Sequence, residues 1–539
     1  MRSSKTFAVG LTILLAAPLR PLRSQAQAPP EPPIIDTIII VNRGIFDQSE
    51  MIETPSLITR VADALHVRTR ASVIRRTLTV NQGDRYDPAR VAESARALRS
   101  LNVFREVGVD TVRVHGRLGL LVETADGWST KPQFNFSSSG GSITWAAGIE
   151  EDNLIGTATS LRALYTQTPD RSLGQFVYSN PHFIGRRPRL ALSYAALSDG
   201  HNGAWSVGVP FYETKARQAY GTSGEFGVVR VLRFRFGQFQ DSVRREALRF
   251  NVSGAVALHA SSLSYLRLWG SAAWRREEFI APLPPAAGLV VPDSMYGTVG
   301  VGLEMGRPRF RVLRHFNTYA RREDINVSQF LRFGFWAAPE AWGYAPGRAG
   351  VGGELSGGAS VDWSGGFITL RLRTNALFTG SDVDSARIRG GVTIASQNIA
   401  SQTIILHLEG GALRYPRPGA EYDPWEDQSG PRLFPAHAVT GDRTIWFGFE
   451  DRILVTDEAY GLLGIGLAPY VDWGGAWYQT DPKSLGGDAG ISLRLGPTRA
   501  VRGEVTEFAV GYRWLEQPAG LPPYDINGWA LTIRRGIVF

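Results

Sequence analysis

The chain ends in GWALTIRRGIVF, residues 528–539, where apolar residues alternate with small or polar ones. One face of a strand built from this run carries Trp529, Leu531, Ile533, Ile537 and Phe539, and the other carries Ala530, Thr532, Arg534, Gly536 and Val538. A strand with lipid on one side and a water-filled lumen on the other has this alternation. Arg535 breaks the outward pattern, and we expect it to reach the nearby membrane interface or to mark a β-bulge. The run therefore predicts the last strand of a transmembrane β-barrel.

The strand-like pattern extends upstream, because the chain from residue 133 onward has almost no helical periodicity. Alternating runs bounded by Gly, Asn, Asp and Pro predict strands over residues 143–150, 157–165, 176–179, 190–194, 205–209, 367–377, 403–408, 444–454, 466–477, 490–495 and 506–512. A soluble β-sandwich or propeller is the alternative, but a propeller needs a fixed repeat period, which the sequence lacks. The 14 Trp, 17 Tyr and 26 Phe suit the aromatic girdles of a membrane barrel. We therefore expect a barrel over residues 130–539.

The N-terminus carries a secretion signal. Arg2 and Lys5 precede an apolar run over residues 7–17, and Ala26-Gln27-Ala28 offers a small-x-small cleavage site. This pattern predicts a signal peptide over residues 1–28. The apolar run is too short to cross a membrane core of about 30 Å as a helix. No later run has the roughly 20 apolar residues of a spanning helix, so a membrane protein built from this sequence must be a closed barrel.

Composition excludes several kinds of site and partner. The 539 residues leave room for one small domain and a large barrel. The absence of cysteine excludes disulfides, thiolate metal sites and cysteine nucleophiles. The net charge of +8 suits anionic lipid headgroups as well as nucleic acid. Basic residues such as Arg230, Arg233 and Arg235 lie scattered along alternating runs and form no compact block, so we expect no nucleic-acid partner.

Residues 34–126 have a different pattern, that of a small α+β domain. A β-rich run opens it, and a helix is predicted over residues 70–78. Asp87-Pro88 starts a second helix well, with Asp as the N-cap and Pro at the first helical position. Two strands follow over residues 104–114 and 118–124. The order strand, helix, helix, strand, strand defines one domain.

This order resembles a POTRA domain, the periplasmic module of the BamA/TamA outer-membrane assembly family. The likeness rests on Val73-Ile74-Arg75-Arg76…Gly83-Asp84…Tyr86-Asp87…Leu98-Arg99…Val103-Phe104. The turns over residues 151–156 and 180–185 resemble the first periplasmic turns of that family's barrel, and a chain that ends on Trp529 to Phe539 resembles the C-terminal signature of outer-membrane barrels. The resemblance implies a 16-stranded antiparallel barrel behind one POTRA-like periplasmic domain. The number of strands counted between residues 217 and 414 is too high for a barrel of sixteen, so some of these runs must be long strands that extend past the membrane or extracellular hairpins.

A second part of the resemblance concerns a loop folded into the lumen, over about residues 415–441. Gly430-Pro431-Arg432-Leu433-Phe434 resembles the Arg-Gly-aromatic tip of that loop, with Leu433 in place of the glycine, although leucine resists positive φ. Tyr470-x-Asp472-x-Gly474 matches the aromatic-x-Asp-x-Gly strand motif of the family. The resemblance implies that Arg432 pairs with Asp472 inside the lumen, with Glu450 as a second acceptor. The alternative is that Arg432 is a solvated loop residue.

The sequence offers no catalytic or metal-binding constellation. None of the 8 His has metal-ligand spacing, and no G-x-S-x-G elbow occurs. The adjacent carboxylates Glu150 and Glu151 point to opposite faces of a strand, which does not suit acid–base catalysis. We therefore expect a protein that is not an enzyme and that needs no cofactor or metal.

The function implied by the resemblance is insertion or translocation of client proteins at the outer membrane. A poorly paired seam between residues 133–138 and 528–539 would let a client strand add to an exposed edge. The implied partners are outer-membrane lipid, unfolded or secreted client proteins, and periplasmic or lipoprotein subunits. A passive porin-like channel and a dedicated two-partner secretion transporter are the alternatives. A lumen plugged by the Arg432 loop argues against an open porin.

Overall fold

The fold is described from a computed structural model, which is mainly β, with a small α+β domain ahead of a large barrel. The structure describes residues 31–45, 67–139, 141–280, 294–319, 322–344, 348–426, 428–499, 504–516 and 524–535. The predicted signal peptide, residues 1–28, and the predicted terminal Phe539 lie outside the described residues.

The described part of the N-terminal domain contains a three-stranded sheet and two helices. Its elements are β1 (Thr37–Arg43), α1 (Ala71–Thr77), α2 (Pro88–Arg99), β2 (Phe104–Val114) and β3 (Arg117–Asp126). β3 lies in the middle of the sheet, parallel to β1 and antiparallel to β2. The Asp87 side chain caps α2 by accepting from the N–H groups of Ala89 and Arg90. Apolar residues of both helices and the sheet form the core, among them Ile74, Leu98 and Val122.

The barrel is formed by two runs of ten strands. The first run is β4 (Thr130–Ser139), β5 (Ser142–Glu151), β6 (Ser160–Gln167), β7 (Ser172–Asn180), β8 (Arg189–Leu197), β9 (Gly200–Val209), β10 (Gln218–Arg235), β11 (Gln238–Ala260), β12 (Tyr265–Ile280) and β13 (Ser294–Arg307). A small separate hairpin follows, β14 (Phe310–Leu313) and β15 (Glu323–Asn326). The second run is β16 (Gln329–Ala338), β17 (Gly350–Trp363), β18 (Gly366–Thr379), β19 (Asp382–Ser396), β20 (Gln402–Arg414), β21 (Arg443–Ala459), β22 (Leu463–Trp477), β23 (Leu485–Pro497), β24 (Thr506–Glu516) and β25 (Gly528–Arg535). Short 3₁₀ turns cover Leu154–Gly156 and Glu340–Trp342.

The predicted antiparallel barrel is confirmed, whereas the predicted count of sixteen strands is wrong. In the part of the chain that the structure describes, twenty strands close the barrel, each antiparallel to its neighbours, and β25 returns to β4. The excess lies between residues 217 and 414, where nine runs join the barrel ladder and only β14 and β15 stand apart. β10 and β11 have 18 and 23 residues, against the roughly 9–11 residues of a membrane-crossing strand. The resemblance implies sixteen strands, whereas each of these nine runs has a hydrogen-bonded neighbour on both sides.

The two faces of the barrel differ in polarity. Large apolar side chains point outward, and Phe134, Phe335 and Trp529 are between 71% and 76% exposed. The inward positions carry small or charged residues, such as the fully buried Thr532 and Ser492. This is the apolar-out, polar-in alternation expected from the last strand. No helix among the described residues is long and apolar enough to cross a membrane.

The N-terminal domain contacts one end of the barrel, which we call the domain end; the opposite end is the far end. Asn153 Nδ2 donates to Thr69 Oγ1 at 2.9 Å. The Arg99 guanidinium donates to both oxygens of Asp324, on the β14–β15 hairpin, at 2.6 and 2.7 Å. The longest far-end connection with described structure is the inward loop, residues 415–442 between β20 and β21. The N-terminal domain therefore lies against the domain end, and the inward loop connects two strands at the far end.

Candidate functional site in the lumen and at the seam

The tip of the inward loop is a tight turn over residues 431–434, in which Phe434 N–H donates to Pro431 C=O at 3.3 Å. Leu433 is buried and is not among the residues with positive φ. Its N–H donates to Asp488 Oδ2 at 2.8 Å, and its C=O accepts from Arg513 Nη1 at 2.8 Å. The tip is therefore held through backbone groups in a conformation that leucine adopts without strain, and no glycine is needed there.

The structure brings Arg432 together with both carboxylates that the resemblance implied. Its Nε and Nη2 donate to Asp472 at 2.6 and 3.3 Å, and Nη2 also lies 3.1 Å from Glu450. Its Nη1 donates to Glu507 Oε1 at 2.5 Å, a partner that the sequence analysis did not name. The Arg432 side chain is 1% exposed. That burial is incompatible with a solvated loop residue.

These four residues belong to a larger set of buried charges that we call the charge network. It consists of Arg432, Arg452, Arg494 and Arg534 with Glu450, Asp472, Asp488 and Glu507. Four cations and four carboxylates cancel in formal charge, which a buried cluster requires. The sequence signal for the missed members is weak, because a charged residue at an inward strand position is ordinary in a wet lumen. The register of the strands decides which of these charged residues lie near Arg432.

The Tyr-x-Asp-x-Gly motif places an aromatic ring against the guanidinium of Arg432. The guanidinium carbon lies 3.7 Å from the centroid of the Tyr470 ring, a cation–π contact. Gly490 and Gly511 leave room for the far side of this ring, since a Cβ at either position would lie 2.9 Å from Tyr470 Oη. Gly474 has φ of +154°, and a Cβ there would lie 2.1 Å from the carbonyl oxygen of Ile445. The glycine of the motif is therefore required by close strand approach.

Beyond its tip, the loop contacts both the last strands and the first hairpins of the barrel. Phe434 joins an apolar cluster that includes Leu515 and Ile526. Ala436 N–H donates to Ser142 Oγ at 3.1 Å, at the start of β5. His437 Nε2 lies 2.9 Å from Asp170, in the turn between β6 and β7.

The ladder between the last strand and the first is short, and we call it the seam. The described residues pair at one position, Thr532 with Ser139, whereas β25 pairs with β24 at eight positions. Pro132 in β4 has no N–H to donate, and such a residue is tolerated on an edge strand. Arg535 reaches across the seam, and its Nη1 donates to Gln133 at 3.0 Å and Asn135 at 2.5 Å. Its side chain thus supports the seam. This role differs from both expectations for Arg535, which were contact with the membrane interface or a β-bulge.

The remaining predicted site residue, Trp529, lies on the outer face of β25 and packs edge-on against Tyr512, with ring centroids 6.1 Å apart. Trp529 does not face the charge network, since its side chain points outward while Thr532 of the same strand is fully buried. The inward loop connects the two sides of the seam. Residues 432–433 bind strands β21 to β24, and residues 436–437 bind β5 and the β6–β7 turn.

Solved structures that are similar to this chain include one BamA and two CdiB proteins. BamA from Haemophilus ducreyi lacking POTRA domains 1-3 is 10% identical over 93% of this chain and 84% of that chain, with a TM-score of 0.37. CdiB from Escherichia coli is 10% identical over 95% of this chain and 92% of that chain, with a TM-score of 0.45. CdiB from Acinetobacter baumannii is 10% identical over 93% of this chain and 73% of that chain, with a TM-score of 0.39. No family model and no curated protein matches the chain.

Proposed function

We propose that this protein is an outer-membrane barrel of the BamA/TamA type that assists insertion or translocation of client proteins by strand exchange at its seam. The observation that carries the proposal is that the described residues of β25 and β4 pair at one position, whereas every other pair of neighbouring barrel strands is joined at seven or more positions. Unpaired backbone N–H and C=O groups on such an edge are a template for another strand. On this proposal the protein is not an enzyme. Outer-membrane lipid surrounds its exposed apolar face.

The inward loop gives the seam a controlled closed state. It binds strands on both sides of the seam, so opening the barrel there requires the loop to release one wall. On this proposal the N-terminal domain is a single POTRA-like module on the periplasmic side. Among the described residues, β1 and β2 are the edge strands of its sheet, and extended clients would add there. Periplasmic or lipoprotein subunits would bind there as well.

The passive porin is a weaker second candidate, because the charge network and the loop fill the lumen near β21 to β25. A steady large single-channel conductance in planar bilayers would favour it over strand exchange. A dedicated two-partner secretion transporter shares the proposed seam and differs in its client. That candidate is favoured if the reconstituted protein moves one secreted substrate and inserts no unfolded barrel supplied to it.

The chain has no cysteine, so an engineered disulfide can lock the seam cleanly. We would introduce Ser139→Cys with Thr532→Cys, which face each other across the seam. The matched control is Ala509→Cys with Thr532→Cys, which join β24 to β25 where the ladder is continuous. Each oxidised protein is reconstituted in liposomes and supplied with an unfolded outer-membrane barrel, whose insertion is followed by protease protection. We expect the seam disulfide to abolish insertion and the control disulfide to leave it unchanged. Equal insertion by both would refute strand exchange.

A further inference from the structure

At the far end of the barrel, three side chains from distant parts of the sequence meet. Asp170 lies in the β6–β7 turn, and Glu426 and His437 lie in the inward loop. One ligand atom from each, a carboxylate oxygen or a ring nitrogen, lies within 4.8 Å of the others. They line a cavity of about 900 Å³, and Glu426 is exposed, so an ion has a path to the cluster. Asp170 and Glu426 are 256 positions apart in the sequence, which explains why sequence spacing indicated no metal site.

The imidazole of His437 is fixed in orientation. Its Nδ1 is hydrogen-bonded to Asp423 and its Nε2 to Asp170, and because a carboxylate only accepts, both ring nitrogens carry a proton until an ion displaces the one on Nε2. The ring stacks on Phe234 with centroids 3.7 Å apart and planes 5° from parallel. Nε2 is therefore directed at Asp170, 2.9 Å away. A carboxylate behind the imidazole, with the other nitrogen facing further ligands, is the usual support for a metal-bound histidine.

We propose that Asp170, Glu426 and His437 bind a divalent transition metal ion, for which Zn²⁺ is the best fit, with Asp423 as the positioning residue. One imidazole nitrogen and two carboxylates are a ligand set that Zn²⁺ accepts, with water in the remaining position. Calcium and magnesium prefer oxygen ligands throughout, so the histidine disfavours them. Binding displaces any proton on His437 Nε2 and replaces its hydrogen bond to Asp170 with a shared cation.

The ion would tie the inward loop to the first hairpins of the barrel. His437 and Glu426 belong to the loop, whereas Asp170 belongs to the barrel wall near the first strand. A ligand that binds only this closed arrangement stabilises it by mass action. The site stands whether or not the barrel inserts clients, since it depends only on these residues.

The experiment uses the full chain in detergent without a polyhistidine tag. Titration with Co²⁺ is followed by its visible absorption, and Zn²⁺ is then added as a competitor, with stoichiometry from calorimetry. We expect one ion per chain, displaced by Zn²⁺, and at least a 100-fold weaker affinity in His437→Gln. Asp423→Asn should weaken binding by roughly 10–100-fold, as loss of such support does.

The matched control is His315→Gln, which removes another histidine paired with a carboxylate, Asp457 at 2.8 Å. Its affinity should equal that of the unmodified protein. If His437→Gln does not fold, as judged by loss of its compact electrophoretic form, Asp170→Asn serves in its place with the same expected loss. Wild-type protein that fails to bind Zn²⁺, or binding that survives both His437→Gln and Asp170→Asn, overturns the site.

Discussion

The two flanks of β25 are closed in different ways. Toward β24 the backbone ladder runs over eight residue pairs, and toward β4 it has one pair among the described residues. Since a hydrogen bond contributes about 0.5–1.5 kcal/mol net, the seam lacks several kcal/mol of ladder stability. Side chains replace part of it, because Arg535 reaches β4 directly and the inward loop holds both walls. The β24 flank is therefore closed by backbone hydrogen bonds, and the described part of the β4 flank is closed mainly by side chains.

The largest effect should come from removing the cation at the centre of the loop's hold on the last strands. Arg432→Met leaves Glu450, Asp472 and Glu507 without this partner in a buried site. Breaking a buried ion pair from one side costs about 3–5 kcal/mol. We therefore expect a lower melting temperature and rapid proteolysis of residues 415–440. Asp472→Ala should act in the same direction.

The control for this prediction is Arg389→Met. Arg389 pairs with Glu409 at 2.6 Å in the same lumen, but its side chain is 34% exposed. A pair in contact with water contributes about 0–1 kcal/mol. Unchanged protease sensitivity of residues 415–440 in Arg432→Met, or equal effects of the two substitutions, would contradict the role of the charge network.

A smaller effect is expected at the seam itself. Arg535→Met removes the hydrogen bonds to Gln133 and Asn135, and hydrogen bonds to a charged group are worth about 1.5–3 kcal/mol. Amide hydrogen exchange in β4 should accelerate, while exchange in β24 should not change. The neighbouring substitution Arg534→Met is the comparison, since Arg534 contacts Glu507 on the other flank at 3.3 Å. Faster exchange of β4 in both variants alike would deny Arg535 a specific part in closure.

Part of the difference between the two flanks of β25 can be predicted from the sequence. The rest cannot, and the reasons are physical. Alternation along residues 528–539 predicted the last strand, since period two needs no tertiary information. The seam partners of Arg535 depend on which residues of β4 lie opposite, and alternation carries no register between distant strands. The same limit hid Glu507 and Asp488, whereas Asp472 was found through its motif. The cluster around His437 joins two loops, and loop positions have no periodicity from which to predict them.

A pH effect is expected where the N-terminal domain docks. His182, in the turn after β7, has Nε2 3.0 Å from Thr77 Oγ1 on α1 and Nδ1 2.9 Å from Arg186 C=O. Burial, together with repulsion from arginines such as Arg76, lowers the pKa of His182 below its ordinary value near 6.5. The undocked state therefore binds the proton first, so docking is fully stable above about pH 6.5 and weakens as pH falls below it.

Hydrogen exchange of α1 between pH 7.5 and 5.5, corrected for the intrinsic exchange rate, measures this docking. The weakening cannot exceed about 1.4 kcal/mol per pH unit for one proton. His182→Gln should remove the pH dependence, while His201→Gln, at the far end of β9, should preserve it. A pH dependence that persists in His182→Gln would assign it to another group. If pH changes the hydrogen exchange of α1 but not that of β4, docking of the N-terminal domain and closure of the seam are independent.

The smallest effect is expected beneath Arg432. Tyr470 Oη is buried and has no hydrogen-bond partner among the described residues, so the hydroxyl adds nothing that Phe would lack. Tyr470→Phe keeps the ring 3.7 Å below the guanidinium and should change stability by less than about 0.5 kcal/mol. Tyr470→Leu loses the cation–π contact and should cost about 0.5–2 kcal/mol, with easier proteolysis of the inward loop. Equal melting temperatures for the two variants would mean that the ring only fills space, and that the carboxylates alone hold Arg432 against the last strands.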